Sequence, residues 1–94
     1  MIKASDVVVI DVRTPSEFTD GHIQGAQNIN INGGLFVEKI GALDKNEKYI
    51  VNCQFGGRSS RATALMHELG FKNTFNLDGG IAAWAGAGFP VGKE

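Results

Sequence analysis

Four consecutive β-branched residues, Val7-Val8-Val9-Ile10, begin the patterned part of the chain without a polar interruption. A strand with one wet face alternates polar and apolar residues, so an unbroken run predicts a strand covered on both faces, as in a parallel sheet flanked by helices. Directly after it, Thr14-Pro15-Ser16-Glu17 sets an N-cap residue, a proline at the first helical position and an acid three residues past the cap. This capping box predicts a short helix through Phe18 that stops near Gly21.

Asn28-Ile29-Asn30-Ile31 alternates with period two and predicts a second strand, and Leu35 to Ile40 has brief helical spacing before Gly41. Lys48 to Asn52 predicts a third strand, ending at Cys53 and the glycine pair Gly56-Gly57. Beyond the glycines, Ala62, Leu65, Met66 and Leu69 recur at helical spacing from about Ser59, with Gly70 as a C-terminal stop. Asn73 to Leu77 predicts a fourth strand, and Asp78-Gly79-Gly80 a turn into a last short helix around Ile81 to Ala85. Strand and helix thus alternate four times, which predicts an α/β domain with a mainly parallel sheet, helices on both faces and right-handed crossovers. No linker, repeat or low-complexity tract interrupts the pattern, and residues 1–94 read as a single domain.

Composition narrows the function classes. A net charge of −1 offers no long-range attraction for nucleic acid or an anionic membrane, so any anion has to be captured locally. No apolar run approaches the roughly 20 residues that span a bilayer. No signal-like block follows Met1, so a cytoplasmic location is expected, although a processed periplasmic form restarted at Met1 would look the same. The one cysteine permits neither an internal disulfide nor a multi-cysteine metal cluster. With only two histidines, no metal and no cofactor are expected.

The chemistry concentrates at that cysteine. In an open parallel sheet, ligands bind outside the carboxyl ends of the strands, where Cys53, Asp11 and Arg13 all fall. Cys53-Gln54-Phe55-Gly56-Gly57-Arg58 supplies a glycine-permitted turn whose backbone N–H groups can converge on the sulfur. A thiolate there gains from this cradle and from the following helix N-terminus. Arg58 and Arg61, in the helix's first turn, oppose its dipole and ask for an offsetting anion, a role expected of Asp11 or a bound oxyanion. A lone cysteine at a strand end is more often a small buried hydrophobe; the glycines and the Arg58-Ser59 helix start argue for a nucleophile. Asp11 and Arg13 are expected first as a strand-end ion pair of structural value; the alternative is that they fix the loop from behind, with Asp11 accepting from Arg58 or loop N–H groups. Glu17 is accounted for by capping. His22 reads as structural, His67 as exposed and Trp84 and Phe89 as packing, while Phe55 at the pocket mouth would exclude water or face a partner.

Three segments together resemble a rhodanese domain: Ile10 to Phe18 continuing through Gly21-His22-Ile23-Gln24-Gly25-Ala26-Gln27-Asn28-Ile29, then Cys53 to Ser59, then Leu77-Asp78-Gly79-Gly80-Ile81 with Ala83-Trp84 and Gly88 to Val91. The likeness spans about Val7 to Val91. It implies a rhodanese-like fold, an open, mainly parallel sheet of four to five strands with helices on both faces. It also implies a sulfurtransferase in which the Cys53 thiolate takes sulfur from thiosulfate or a similar donor, holds a persulfide and passes it to a thiol or cyanide. The loop from Gln54 through Phe55, Gly56, Gly57 and Arg58 to Ser59 would bind the donor, with the Arg58 fork on its oxyanion. A protein sulfur acceptor fits the same scheme, with a monomer or weak dimer as the assembly.

Phosphate-ester or arsenate chemistry also uses a cysteine and an arginine at a loop's two ends, but related phosphatases carry five residues between them; here there are four, Gln54 to Gly57, which argues against phosphate-ester chemistry. A persulfide relay or partner-binding module with little free thiosulfate turnover is the alternative within the resemblance. Two departures stand out. Many family members carry a basic residue just after the cysteine, where Gln54 and Phe55 are uncharged, and few residues precede Val7, so Ile2-Lys3 would form at most a stub of a first edge strand.

Overall fold

The β-branched run becomes the centre of the sheet. The computed structural model describes residues 7–88 and 91–92. The elements run β1 (Val8–Asp11), α1 (Pro15–Asp20), β2 (His22–Ile23), β3 (Gln27–Asn28), α2 (Phe36–Gly41), β4 (Lys48–Asn52), α3 (Gly57–Glu68), β5 (Asn73–Asn76), α4 (Gly80–Gly86) and β6 (Val91–Gly92). Four strands form one parallel sheet in the order β3-β1-β4-β5. The chain leaves β1 for one side of the sheet and returns on the other as β4, so the β1/β4 boundary is a topological switch point, where open α/β sheets bind ligands. Register aligns the carboxyl ends there: Asp11 lies beside Asn52, and Val51 beside Asn76.

Both faces of the sheet are covered, as the uninterrupted run requires. Ile10 and Val51 pack with Phe36 and Ile40 of α2 and Ala62 and Met66 of α3, while Val9, pointing the other way, packs with Ile23, Ile81 and the partly buried Trp84. The capping box is present, with Thr14 Oγ1 accepting from the Glu17 N–H and Glu17 Oε1 from the Thr14 N–H.

Three details differ from the sequence pattern. The Asn28–Ile31 alternation yields strand pairing only at Gln27–Asn28, because Ile29 and Ile31 instead donate their N–H groups to the carbonyls of Asp11 and Val12 in a non-strand connection. A small antiparallel pair, β2 with β6, was not foreseen, since two-residue strands carry no period. Helix α3 begins at Gly57 rather than near Ser59, because Gly56, in a left-handed conformation at φ 113°, turns the chain into the helix two residues sooner. The suggested stub at Ile2-Lys3 and the packing role of Phe89 lie outside the described residues.

Candidate active site

Strand β4 delivers Cys53 to the carboxyl edge of the sheet with the residue only 1% exposed. The loop then folds back over its own sulfur. The Gly56 N–H donates to Cys53 Sγ at 3.0 Å, and Ser59 Oγ, from the first turn of α3, lies 3.4 Å from it. Burial, the largest single influence, pushes the thiol pKa up, but the Ser59 hydroxyl and the backbone N–H groups of Ser59, Gly56 and Phe55 together outweigh it, leaving the thiol below its ordinary range. The turn after Cys53 thus brings the Gly56 N–H into hydrogen-bonding distance of the sulfur.

The carbonyls at the loop's start are held by the next element. Ile81 and Ala82, at the N-terminus of α4, donate their N–H groups to the carbonyls of Cys53 and Gln54 at 2.9 and 3.1 Å. This contact is close enough that a Cβ on Gly80 would sit 2.4 Å from the Gln54 carbonyl oxygen. Asp78-Gly79-Gly80, read only as a turn, is thus what lets α4 clamp the loop.

Ser59 has three acceptors and one hydrogen: Cys53 Sγ, the Gly56 carbonyl at 3.2 Å and Asn76 Oδ1 at the end of β5, a short contact. Asn76 was read only as part of a strand, and it competes with the sulfur for this hydroxyl. Replacing Ser59 by alanine is expected to raise the Cys53 pKa, because a donor that favours the thiolate is lost while burial remains. The pH profile of iodoacetamide alkylation checks it: the rate climbs as the thiolate forms, so the wild-type midpoint lies below that of an ordinary thiol and the variant's above the wild type's. Coincident profiles would remove Ser59 from the sulfur's environment.

The charged residues are paired differently from expectation. Asp11 does not accept from Arg58. Both its oxygens take bonds from Arg13, with Arg13 Nε at 3.0 and 3.1 Å and an Nη at 2.8 Å, and Oδ1 also accepts the Arg13 N–H at 3.0 Å. The local reason is spacing: two residues on from a strand end, the guanidinium folds back onto a carboxylate its own backbone already contacts. Arg13 then reaches forward to Gln54 Oε1 at 3.0 Å and to the Gly21 carbonyl at 2.6 Å, which ties the buried pair to the loop.

Arg58 is instead held by Glu17. Two parallel bonds of 2.7 and 3.0 Å join its fork to the carboxylate. The arginine's bonds are the largest influence on Glu17 and, against a smaller burial effect, lower its pKa to about 2. Glu17 pushes the Arg58 pKa up in turn. Capping therefore does not exhaust Glu17, which is the carboxylate that pairs with Arg58 at the start of α3. His22, buried, stacks on Phe18 at 3.8 Å between centroids and bonds the Phe18 carbonyl, a structural role. His67 is exposed. Phe55 is 75% exposed on the loop. Beside the loop, a cleft of about 290 Å³ is lined by Arg13, Glu17, Asp20, Gln54 and the face of α4 at Ala82 and Ala85, among others. Among the described residues no three His, Cys, Asp or Glu side chains gather where they could hold a metal ion, and no helix is long and apolar enough to cross a membrane.

Comparison with known proteins agrees with this architecture. The thiosulfate sulfurtransferase GlpE of Shewanella oneidensis is 36% identical over 84 residues, covering 89% of this chain and 81% of that protein. Thiosulfate sulfurtransferase 16, chloroplastic, of Arabidopsis thaliana is 38% identical over 92 residues, covering 87% of this chain and 77% of that protein. The crystal structure of a rhodanese-related protein from Thermoplasma volcanium superposes with a TM-score of 0.87 at 37% identity, covering 96% of this chain and 87% of that one. With the family model for the rhodanese-like domain matching residues 1–87, the chain belongs to the rhodanese-like domain family.

Proposed function

We propose that this rhodanese-like transferase moves sulfur through a persulfide on Cys53, loaded from thiosulfate or a similar donor. The observation that carries the reading is the sulfur cradle: a buried thiol held below its ordinary pKa by converging N–H and O–H donors. Nucleophilic attack needs a thiolate, which a lowered pKa makes more abundant at a given pH, and the donors that stabilise it also stabilise a persulfide anion in its place. Family membership supports the coarser part, sulfur transfer, since the relatives described above are named as sulfurtransferases.

The proposed steps balance without a cofactor. The thiolate forms a bond to the outer sulfur of thiosulfate, the S–S bond of the donor breaks, and its electron pair leaves with sulfite. An acceptor thiolate or cyanide then attacks the outer sulfur of the persulfide and restores the Cys53 thiolate. Two half-reactions through one residue give ping-pong kinetics. The exposed Phe55 suits a protein thiol as one acceptor, approaching a domain that works as a monomer or weak dimer. A reducing cytoplasm would keep the lone thiol available.

Incubation with thiosulfate followed by intact mass measurement tests the reading. A gain of one sulfur, about 32 Da, is expected, removed by cyanide or dithiothreitol and absent in Cys53→Ser. No gain from thiosulfate or any other sulfane donor would sink it. Turnover of p-nitrophenyl phosphate or arsenate is expected to stay at background.

A further inference from the structure

We propose that Glu17 selects sulfur donors by charge: its carboxylate occupies the Arg58 fork that a donor oxyanion would use, so the site disfavours dianionic donors relative to monoanionic ones. This rests on the sulfurtransferase reading and names which donors that site takes.

Arg13 and Arg58 are the cations tied to the loop, and each is matched by a carboxylate, Asp11 and Glu17. The four groups sum to zero. Gln54 and Phe55 add nothing. A thiosulfate dianion entering this site therefore finds the two arginines tied to the loop already matched, beside the backbone N–H groups that serve the thiolate.

Geometry makes Glu17 the decisive member. The Asp11–Arg13 pair is almost wholly buried, but the side chains of Arg58 and Glu17 are 25% and 34% exposed, and Glu17 lines the cleft beside Gln54. Arg58 is therefore within a ligand's reach, and so is the carboxylate already bound to it. A planar guanidinium binds a carboxylate or a sulfonyl oxyanion through the same two donors, so the two compete for one fork. Glu17 cannot simply swing aside. Its Oε1 also accepts from the Thr14 N–H and Oγ1, both at 3.1 Å, so departure from Arg58 would break the cap of α1. The carboxylate stays near the donor, and it stays charged, since its pKa is lowered to about 2. A donor with two negative charges meets more of this repulsion than a donor with one.

Glu17→Gln separates charge from capping, because a glutamine at this position keeps a side-chain oxygen for the Thr14 N–H. The measurement is single-turnover sulfur loading by intact mass, with thiosulfate as the dianion and methanethiosulfonate as the monoanion. In both reactions the Cys53 thiolate bonds the outer sulfur and the donor's S–S bond breaks, with sulfite or methanesulfinate leaving on the electron pair. The variant's second-order rate with thiosulfate is expected to rise about tenfold, and with methanethiosulfonate about two- to threefold, so the ratio of the two shifts toward thiosulfate. High salt should shrink the difference. Glu17→Asp, which keeps the charge, should leave the ratio near the wild-type value. A role confined to holding the loop would move both donors alike. An unchanged ratio, or a thiosulfate rate that falls more than the other, overturns the selection by Glu17 and leaves the sulfurtransferase reading intact. Sulfur gain from neither donor in either protein overturns both.

Discussion

Gly80→Ala is expected to destabilise the domain by about 2–5 kcal/mol, the sum of roughly 1–2 for a left-handed residue bearing a Cβ and ~1–3 for overpacking. Gly80 has φ 65°, and a Cβ there would lie 2.4 Å from the Gln54 carbonyl oxygen, 2.5 Å from its carbonyl carbon and 2.6 Å from the Cys53 carbonyl oxygen. All three atoms are backbone, so no side-chain rotation relieves the contact. Relief requires α4 to retreat from the loop, which would strain or break the bonds from the Ile81 and Ala82 N–H groups to those two carbonyls. Equilibrium urea unfolding measures the loss, which at roughly 4–8 °C per kcal/mol for a domain of this size corresponds to a fall in Tm of about 10 °C or more. Gly57→Ala supplies the control. That glycine opens α3 without a positive φ and has nothing within 4 Å of its would-be Cβ, so alanine there should be neutral or slightly stabilising. If Gly80→Ala proved as stable as Gly57→Ala, the close approach of α4 would not be what holds the loop.

Much of this arrangement was legible because it is local. The run at Val7 to Ile10, the strand from Lys48 to Asn52 and the glycines after Cys53 encode strand, strand and turn in consecutive residues, and together they placed the thiol at the sheet's carboxyl edge. The capping box from Thr14 to Glu17 was readable for the same reason. What escaped depends on contacts across the chain. Glu17 and Arg58 are 41 residues apart, so their pairing is invisible to any periodic pattern, and the spacing that explained Glu17 as a cap concealed its second partner. Asn76 reads as a polar position on a strand; only the alignment of β4 with β5 brings its side chain to Ser59. The β2–β6 pair is too short to carry a signal and joins residues about 70 apart in the chain. The turn around Cys53 is thus readable and the pairing of the charged residues near it is not, because that turn is built from adjacent residues and the ion pairs are chosen by the tertiary fold.

Asp11→Ala is expected to cost about 3–5 kcal/mol, the usual penalty for leaving one member of a buried ion pair without its partner. The carboxylate is wholly inaccessible and Arg13 is nearly so, and Arg13's remaining acceptors, Gln54 Oε1 and the Gly21 carbonyl, carry no charge. Thermal unfolding followed by circular dichroism measures the loss; a change below about 1 kcal/mol would mean that Arg13 finds another counter-ion or water. A second variant then asks what the pair is for. Asp11→Leu combined with Arg13→Met removes both charges and fills similar volume, and such swaps are often neutral or stabilising, so most of the stability should return. The bond from Arg13 to Gln54 does not return. If the pair serves packing alone, the double variant should take up sulfur at the wild-type rate. If it also holds the loop, loading should slow although the fold is restored, and Gln54→Ala in the wild-type background should slow it to a similar degree, since the two changes remove one hydrogen bond from opposite ends. The reach of Arg13 across 41 residues to Gln54, the residue next to Cys53, favours the second outcome.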